Sequence, residues 1–406
     1  MSRHGRVLVA MSGGVDSSVA AGLLHEGGYE VVGVTMKTWD YETSLGGSGA
    51  SRKQSGCCSL DDMNDARAVA VALGASHTVV DIRDEFGGWV VDRFAGDYLA
   101  GRTPNPCVLC NTHIKWAALL KRADALGCEH IATGHYARVR QAAPPEAPPS
   151  PSGRGGAGRF VVSRGLDRAK DQSYVLWGVA QDHLARTLLP LGGTTKPEIR
   201  RLAAEMGFDH VAGKKDSYEI CFVPDDDYRG FLRRRHPALG DLAGGPFVHA
   251  ETGEVLGTHD GYPFYTVGQR RGLGLALGEP AYVVRIEPHA NTVVVGPRSA
   301  LAARALTLDG VVWGKAPGLE TAGGEVEAWG QIRHRDPGAA AVLRQTGADT
   351  AKAVFAEPRA AVAPGQAAVF YDGDDVLAGG WIESVPAPPA HAPARPDGAF
   401  VALPTL

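Results

Sequence analysis

The chain lacks any long hydrophobic run. No apolar stretch in its 406 residues approaches the ~20 residues needed to span a bilayer, and the run VLVAM near the N-terminus gives way at once to glycines. A content of 44% hydrophobic and 21% charged residues is typical of a globular protein in water. These absences argue against a membrane protein and against a secretory signal peptide, so we expect a cytoplasmic location.

Cysteines are also scarce. The 6 cysteines are Cys57, Cys58, Cys107, Cys110, Cys128 and Cys221. In a reducing compartment so few cysteines indicate free, metal-bound or catalytic thiols rather than structural cross-links. Cys107 and Cys110 lie three residues apart in TPNPCVLCN, and this spacing alone fits a zinc site, a redox pair, a cluster ligand set or a reactive thiol.

The chain has no large excess of charge of one sign. Its formal net charge is -4, from 41 Lys and Arg against 45 Asp and Glu. This balance argues against indiscriminate binding to nucleic acid, yet it is compatible with a local basic face that binds one specific RNA.

The first half of the chain alternates short apolar runs with helical patterns. RVLVAM (6–11) and EVVGVTMK (30–37) have the composition of buried strands, and a helical pattern separates them. This order predicts an α/β fold, in which a Rossmann-like domain has a parallel sheet covered by helices. From about Tyr282 the pattern changes to alternating strands at hairpin spacing, which predicts a β-barrel-like C-terminal domain.

Composition divides the chain further. Pro, Gly and Ala dominate an insertion at about 141–158, which we expect to be a disordered surface loop, and they also dominate the C-terminal tail. The predicted units are an N-terminal catalytic domain (1–215), a small middle domain (216–281), a C-terminal barrel (282–385) and a tail (386–406).

The segment AMSGGVDSS follows the first predicted strand and begins the first helix. Glycines let backbone N–H groups approach a phosphate, serine hydroxyls add donors, and the helix N-terminus adds positive potential. The segment lacks the lysine of a Walker loop and the spacing of G-x-G-x-x-G, and its Asp16 suits Mg²⁺ beside a polyphosphate. The predicted phosphate-binding residues are Ala10, Met11, Ser12, Gly13, Gly14, Val15, Asp16 and Ser17.

The pattern S-G-G-x-D-S after a buried strand resembles the pyrophosphatase loop of the N-type ATP pyrophosphatases, the PP-loop superfamily. These enzymes use ATP to adenylylate an oxygen, release pyrophosphate and let a nucleophile displace AMP. The resemblance implies that Met36, at the end of the next strand, and Gly134 of ATGHYA lie near the adenine. Taken alone, Met36 fits an ordinary core position and Gly134 an ordinary turn.

Further segments resemble, in order, the tRNA-specific 2-thiouridylases. They are TPNPCVLCN, ATGHYA, KDQSYVL, EICFV and YTVGQRRGLG, and the resemblance extends from about residue 6 to residue 383. Members of this family exchange oxygen for sulfur at C2 of the wobble uridine in the anticodon of tRNA. The resemblance implies an ATP-dependent tRNA sulfurtransferase that acts on the tRNAs for Lys, Glu and Gln.

The resemblance also implies roles for two cysteines. Cys110 is the implied nucleophile, and Cys221 is the implied second catalytic cysteine, which receives sulfur as a persulfide from a cysteine desulfurase or a sulfur-relay protein. In the implied scheme, ATP, with Mg²⁺ near the catalytic Asp16, would activate O2 of the uracil; the persulfide sulfur would attack C2, and a Cys110–Cys221 disulfide would form as AMP leaves.

The same resemblance implies contacts with the tRNA and its extruded base. The implied residues are Asn105, Pro106, Cys107, His135, Lys170, Asp171, Gln172, Arg333, His334 and Gln366. The arginines at 233–235 and 270–271 would add charge directed at phosphates. Two departures weaken the transfer: many members have Asp at the position of Cys107, and Arg-His-Arg at 333–335 replaces the commoner Arg-Tyr-Arg.

Four alternatives remain open on the sequence alone. Cys107, Cys110 and Cys221 suit an iron–sulfur cluster that carries the transferred sulfur. Zinc could bind the pairs at 57–58 and 107–110, although adjacent cysteines are an awkward ligand spacing. An RNA-binding module with a relic ATP loop, or a PP-loop synthetase that uses ammonia, would need no catalytic cysteines. The sequence does not specify the sulfur donor or the oligomeric state.

Overall fold

The computed structural model describes residues 3–39, 59–142, 158–214, 220–223, 227–315, 317–319 and 324–386. The expectations for Cys57 and Cys58, for most of the insertion at 141–158 and for nearly all of the tail lie outside these residues. Within the described ranges, no helix is long and apolar enough to cross a membrane.

Strands dominate the described part of the chain. They are β1 (Arg6–Ala10), β2 (Glu30–Lys37), β3 (Ser76–Asp81), β4 (His130–Ala132), β5 (Ala137–Gln141), β6 (Phe160–Arg164), β7 (Thr187–Leu188), β8 (Gly245–His249), β9 (Val255–His259), β10 (Tyr282–Glu287), β11 (Thr292–Gly296), β12 (Ala302–Trp313), β13 (Glu325–Gln331), β14 (Ala339–Gln345), β15 (Ala351–Ala360), β16 (Ala367–Asp372) and β17 (Asp375–Ser384).

Most helices lie in the N-terminal half. They are α1 (Val15–Glu26), α2 (Leu60–Ala72), α3 (Arg83–Phe86), α4 (Asp92–Leu99), α5 (Pro106–Leu109), α6 (Trp116–Ala125), α7 (Gln181–Leu184), α8 (Lys196–Glu205), α9 (Asp209–Ala212) and α10 (Tyr228–Arg235), and two π-helical segments lie at Gly87–Val91 and Cys110–Lys115.

The N-terminal sheet is parallel and has the strand order β3-β2-β1-β4-β7. Its central strand β1 is an unbroken apolar run because both faces of the sheet are covered, and Val7, Leu8 and Val9 are fully buried. The predicted Rossmann-like domain is therefore confirmed. The carboxyl ends of its strands meet at one edge, which is where such sheets bind ligands.

A second sheet has the order β10-β11-β8-β9. The hairpin of β10 and β11, in which Tyr282 pairs with Gly296, joins β8 through the pairing of Val294 with Val248. The sequence analysis places these strands in the C-terminal domain, whereas the structure places them in the middle sheet. Alternating residues reveal strands but not which sheet they join, so the C-terminal sheet begins with β12 at Ala302.

The C-terminal sheet closes on itself. Strands β12, β15, β14, β13, β16 and β17 follow one another, and an additional pairing of β12 with β17 completes the barrel. Closure removes the exposed edges of the sheet, as the predicted β-barrel requires. The hairpin β5–β6 of the N-terminal domain continues this sheet, where Ser163 pairs with Asp375 of β17.

Polar contacts hold that hairpin against the barrel. The buried carboxylate of Asp375 accepts a hydrogen bond from Ser163 Oγ at 2.7 Å and forms an ion pair with Arg140. Arg159 donates to the carbonyl oxygen of Trp313 at 2.7 Å. The N-terminal domain and the barrel are thus joined by a continuous sheet and by charged side chains.

We predict that Asp375→Ala destabilises the protein. The Asp375 side chain is 7% exposed, and its loss leaves Ser163 and Arg140 without their acceptor, which typically costs about 1–3 kcal/mol in the free energy of unfolding. Chemical denaturation followed by tryptophan fluorescence measures this loss. The matched control is Glu325→Ala, because the Glu325–Arg344 pair on β13 and β14 is half exposed and should contribute roughly 0–1 kcal/mol. Equal losses for the two variants would contradict the prediction.

Candidate active site

The segment between β1 and α1 is a tightly hydrogen-bonded loop. Ser17 Oγ accepts a hydrogen bond from the Ser12 amide at 3.1 Å and donates one to the Gly14 carbonyl oxygen at 3.1 Å. Ser18 Oγ donates to the same carbonyl oxygen at 2.9 Å. Ser12 remains exposed, and Val15 begins the helix directly after the loop. The loop is therefore preformed at a helix N-terminus, where anions bind favourably.

Two glycines allow other segments to approach this loop closely. Gly13 has φ +72°, and a Cβ there would lie 2.1 Å from the Asp62 carbonyl oxygen. At Gly134 a Cβ would lie 2.8 Å from the Ser17 amide nitrogen. Only glycine fits such contacts. The structure thus brings Gly134, predicted as part of the nucleotide site, against the first turn of α1.

Other residues of the predicted nucleotide site lie in the sheet or directly after one of its strands. Met11 is buried; its amide donates to the Val34 carbonyl oxygen at 2.8 Å, and its carbonyl oxygen accepts from Thr35 Oγ1 at 2.7 Å. Ala10 ends β1, and Met36 lies near the end of the neighbouring strand β2, partly buried against the core. These residues fix the loop to the carboxyl edge of the sheet.

A lysine that is distant in sequence binds the carboxylate of the loop. Lys196 Nζ donates to both carboxylate oxygens of Asp16 at 2.8 Å, and the Tyr136 hydroxyl donates to Asp16 Oδ1 at 2.7 Å. Lys196 is the first residue of α8, which begins with a capping box of Thr195 and Glu198. Its side chain is only 10% exposed. The capping box follows from the local sequence, but the sequence analysis did not identify this lysine.

A second lysine also contacts the loop. Lys214 Nζ donates to the Gly13 carbonyl oxygen at 3.0 Å and to Asp62 Oδ1 at 2.7 Å, and it also pairs with Asp65. Burial acts to lower the pKa of Lys214, but its hydrogen bonds to Asp62 and Asp65 outweigh this effect and raise the pKa. The ammonium group therefore stays charged beside the loop.

The segment TPNPCVLCN begins a helix that changes type at Cys110. The Asn105 side chain caps α5 by accepting from the Val108 amide at 3.4 Å, and Pro106 occupies the first turn. The helix continues as the π-helical segment Cys110–Lys115, a conformation that is frequent at functional sites. Cys110 is 6% exposed, whereas Cys107 is exposed.

The protein around Cys107 nevertheless affects its chemistry. Desolvation raises the pKa of the Cys107 thiol above its usual value, despite the nearby positive charge of Lys115. A raised pKa favours the thiol over the thiolate, which is the better nucleophile.

An aromatic cluster brings Cys221 to the core that contains Cys110. Phe222 is buried, and its ring lies 5.2 Å from Phe94 and 5.6 Å from Phe231, between centroids. Cys110 belongs to this same cluster, and Cys221 packs against it while partly buried. Both cysteines are thiols. Folding therefore places two residues that are far apart in sequence at one hydrophobic core.

The barrel contacts the loop that leads into the Cys107–Cys110 segment. Gln366 Nε2 donates to the carbonyl oxygens of Pro104 at 2.9 Å and Thr103 at 3.3 Å. The amide of Thr103 in turn donates to the Pro364 carbonyl oxygen at 2.8 Å. Gln366, predicted as a tRNA contact, thus positions the loop that precedes Asn105.

Two further predicted contacts are engaged within the protein. Asp171 Oδ1 accepts from the Gly165 amide at 2.9 Å, and Gln172 Oε1 accepts from the Tyr136 amide at 3.0 Å. These bonds fix the segment that carries the half-buried Lys170. Asp171 and Gln172 therefore shape the segment from within.

His135 carries no charge at neutral pH. Desolvation, together with the charge of Lys115, lowers the pKa of His135 to about 3. Its Nδ1 hydrogen-bonds Thr133 Oγ1 at 2.7 Å, and its ring lies 5.7 Å from that of Trp116. His135 could contact RNA by hydrogen bonding or stacking but not as a cation.

The turn with Arg333 and His334 is exposed on the barrel. Arg333 donates to the Ala360 carbonyl oxygen at 3.1 Å, and the His334 ring lies 6.0 Å from Tyr174 of the N-terminal domain. Desolvation, aided by Arg335, lowers the pKa of His334. This turn therefore lies where the barrel meets the segment after Lys170.

Metal ligands are not grouped in the described part of the chain. No set of three or more His, Cys, Asp or Glu side chains there could hold a metal ion. Cys107, Cys110 and Cys221 do not form such a set.

The fold and the loop define a nucleotide-binding enzyme of the HUP type with two appended β domains. Residues 5–225 match the family described as the tRNA methyl transferase HUP domain, residues 231–297 its PRC-barrel domain, and residues 304–382 the aminomethyltransferase beta-barrel domain. The second match ends where the middle sheet ends.

Three relatives match nearly the whole chain, and each is named tRNA-specific 2-thiouridylase MnmA. That of Salinibacter ruber is 58% identical over 95% of this chain and 96% of its own. The proteins of Amoebophilus asiaticus (56%, covering 94% and 96%) and Cytophaga hutchinsonii (54%, covering 95% and 99%) are similar. The chain belongs to the tRNA-specific 2-thiouridylase family.

Proposed function

We propose that this protein replaces O2 of the wobble uridine of tRNA by sulfur, at the expense of ATP. The observation that carries the proposal is that Cys110 and Cys221 lie in or against one hydrophobic core of a protein that also has a PP-loop. A synthetase that uses ammonia, or a non-catalytic RNA-binding module, would have no use for that pair.

The loop residues fit a polyphosphate. The glycines at 13 and 14 have no side chains that would keep a phosphate away from the backbone, and Ser12 is exposed. Lys196 and Lys214 add positive charge. Asp16 is the carboxylate that would hold Mg²⁺ together with the phosphates, and the ion would neutralise charge as pyrophosphate leaves. Lys196 would then exchange its partner, from the Asp16 carboxylate to a phosphate oxygen. Met36 and Gly134 would border the adenine.

The reaction needs both cysteines. Adenylylation converts O2 of the uracil into a leaving group. The terminal sulfur of a Cys221 persulfide attacks C2, and the Cys110 thiolate then attacks Cys221 Sγ, which breaks the S–S bond and leaves the sulfur on C2. AMP departs with the C–O electron pair, the C2=S bond forms, and a Cys110–Cys221 disulfide remains. An external thiol reductant regenerates the two thiols.

The tRNA would lie across the N-terminal domain and the barrel. Asn105, Pro106 and Cys107 would border the extruded base, while Lys170, Arg333 and His334 lie on the segments where these domains meet. Four other predicted contacts would support RNA binding mainly by positioning these segments: Gln366, Asp171, Gln172 and His135. The substrates would be the tRNAs for Lys, Glu and Gln, and the sulfur would come from a cysteine desulfurase or a relay protein.

An iron–sulfur cluster is the alternative sulfur carrier. The geometry of the described residues favours thiol chemistry, since Cys107, Cys110 and Cys221 do not form a ligand set. Anaerobically purified protein that is colourless and active with a persulfide donor would support the thiol route. A visible absorption band with iron near four per chain, required for activity, would support the cluster.

We predict that Cys110→Ser and Cys221→Ser each abolish 2-thiouridine. The nucleosides of tRNA are measured by mass spectrometry in a strain that lacks this protein and is complemented with wild type or a variant. The matched control is Cys128→Ala, because Cys128 is buried in a different core and should leave thiolation intact. If 2-thiouridine persists in the deletion strain, or with either serine variant, the proposal is wrong.

We also predict that Gly134→Ala weakens ATP binding, roughly 5- to 150-fold, because the new methyl group would push against the first turn of α1. Titration calorimetry with ATP measures the effect. The control is Gly96→Ala on the exposed face of α4, where a Cβ meets no atom within 4 Å and the helix should gain stability. Unchanged ATP affinity in Gly134→Ala would show that nucleotide binds elsewhere.

A further inference from the structure

An exposed tryptophan lies beside the segment that carries the catalytic cysteine. Trp89 is 53% exposed, and its ring stacks on that of His113 with centroids 5.1 Å apart and planes at 23°. The two rings come from the π-helical segments Gly87–Val91 and Cys110–Lys115, which pack against each other. His113 of this pair lies three residues after Cys110.

The surface next to Trp89 is open and carries one arginine. A Cβ at Gly87 or at Gly88 would meet no atom within 4 Å. Arg93 follows Trp89 by four residues, is exposed, and places its guanidinium 5.8 Å from the ring of Trp381 on the barrel. Desolvation and the charge of Arg93 lower the pKa of His113, so its ring is neutral at pH 7 and suited to stacking. We call Trp89, His113 and Arg93 the aromatic platform.

We infer that the aromatic platform binds an unpaired base of the tRNA anticodon loop next to the target uridine, with the base stacked on Trp89 and a neighbouring phosphate paired with Arg93. The inference rests on the proposed function and specifies how the RNA is held. Extruding one base from a loop leaves its neighbours unstacked, and proteins that bind single-stranded RNA supply aromatic faces for such bases.

The composition of the platform favours RNA over a protein partner. The exposed ring of Trp89, the neutral His113 stacked on it and the arginine four residues after Trp89 combine stacking with phosphate recognition. A docking site for a sulfur-donor protein would instead be expected to present a broader apolar patch. The segment of Trp89 also contacts the helix Pro106–Leu109, which contains the exposed Cys107, and His113 lies in the same segment as Cys110.

The test uses the full-length protein and an anticodon stem-loop RNA with 2-aminopurine placed on either side of the wobble uridine or, as a reference, in the stem. Stacking on Trp89 should quench the fluorescence at one loop position upon binding, and Trp89→Ala should abolish this quench. We expect Trp89→Ala to raise the Kd for the RNA roughly 5- to 150-fold, with the Kd for ATP unchanged. Trp89→Phe should retain most of the affinity.

The control is Val71→Ala. Val71 is 70% exposed near the C-terminal end of α2. In a parallel α/β sheet, the C-terminal ends of the helices lie at the edge opposite the carboxyl ends of the strands, where ligands bind. The Kd for the RNA should therefore not change in Val71→Ala. Equal RNA affinity and equal quench for wild type and Trp89→Ala would overturn the inference, as would a loss confined to sulfur loading from a donor protein. Wild type that binds the RNA but forms no 2-thiouridine would instead refute the proposed function and leave the platform intact.

Discussion

The packing of Phe222 is the constraint on which the site depends. Its ring contacts aromatic side chains from α3, α4 and α10, and through them it fixes the adjacent Cys221 to the core that contains Cys110. Replacing a buried phenylalanine by a small residue typically costs about 3–5 kcal/mol, so this placement is strongly favoured once the domain has folded. The thiol chemistry therefore relies on hydrophobic packing rather than on proximity in sequence.

The nucleotide site depends on a different pair of conditions. Because Gly13 has no side chain, the Asp62 backbone can contact the loop; because Gly134 has none, its segment can contact the first turn of α1. Lys196 then balances the charge of Asp16 in a partly buried place, where an unpaired carboxylate would be costly. A loop that lacks a lysine of its own thus receives one from the beginning of α8.

The sequence allowed the architecture to be predicted where local patterns suffice. The strand–loop–helix around Gly13 and the capping box at Thr195 follow from short-range rules, and both occur in the structure. The sequence could not predict which sheet the strands at 282–296 join, because an alternating apolar pattern does not specify the neighbouring strand. Lys196, Lys214 and Trp89 were missed for a related reason: their importance lies in contacts with residues distant along the chain. The internal hydrogen bonds of Asp171 and Gln172 likewise appear only in three dimensions.

The most direct test of the account is to map disulfides after a single turnover. Protein that carries a persulfide on Cys221 is mixed with ATP and tRNA, quenched by alkylation, and analysed by peptide mass spectrometry together with the tRNA nucleosides. The account predicts one Cys110–Cys221 disulfide for each 2-thiouridine formed. The formation of 2-thiouridine while Cys110 remains fully alkylated, or becomes linked to Cys107 instead, would contradict it.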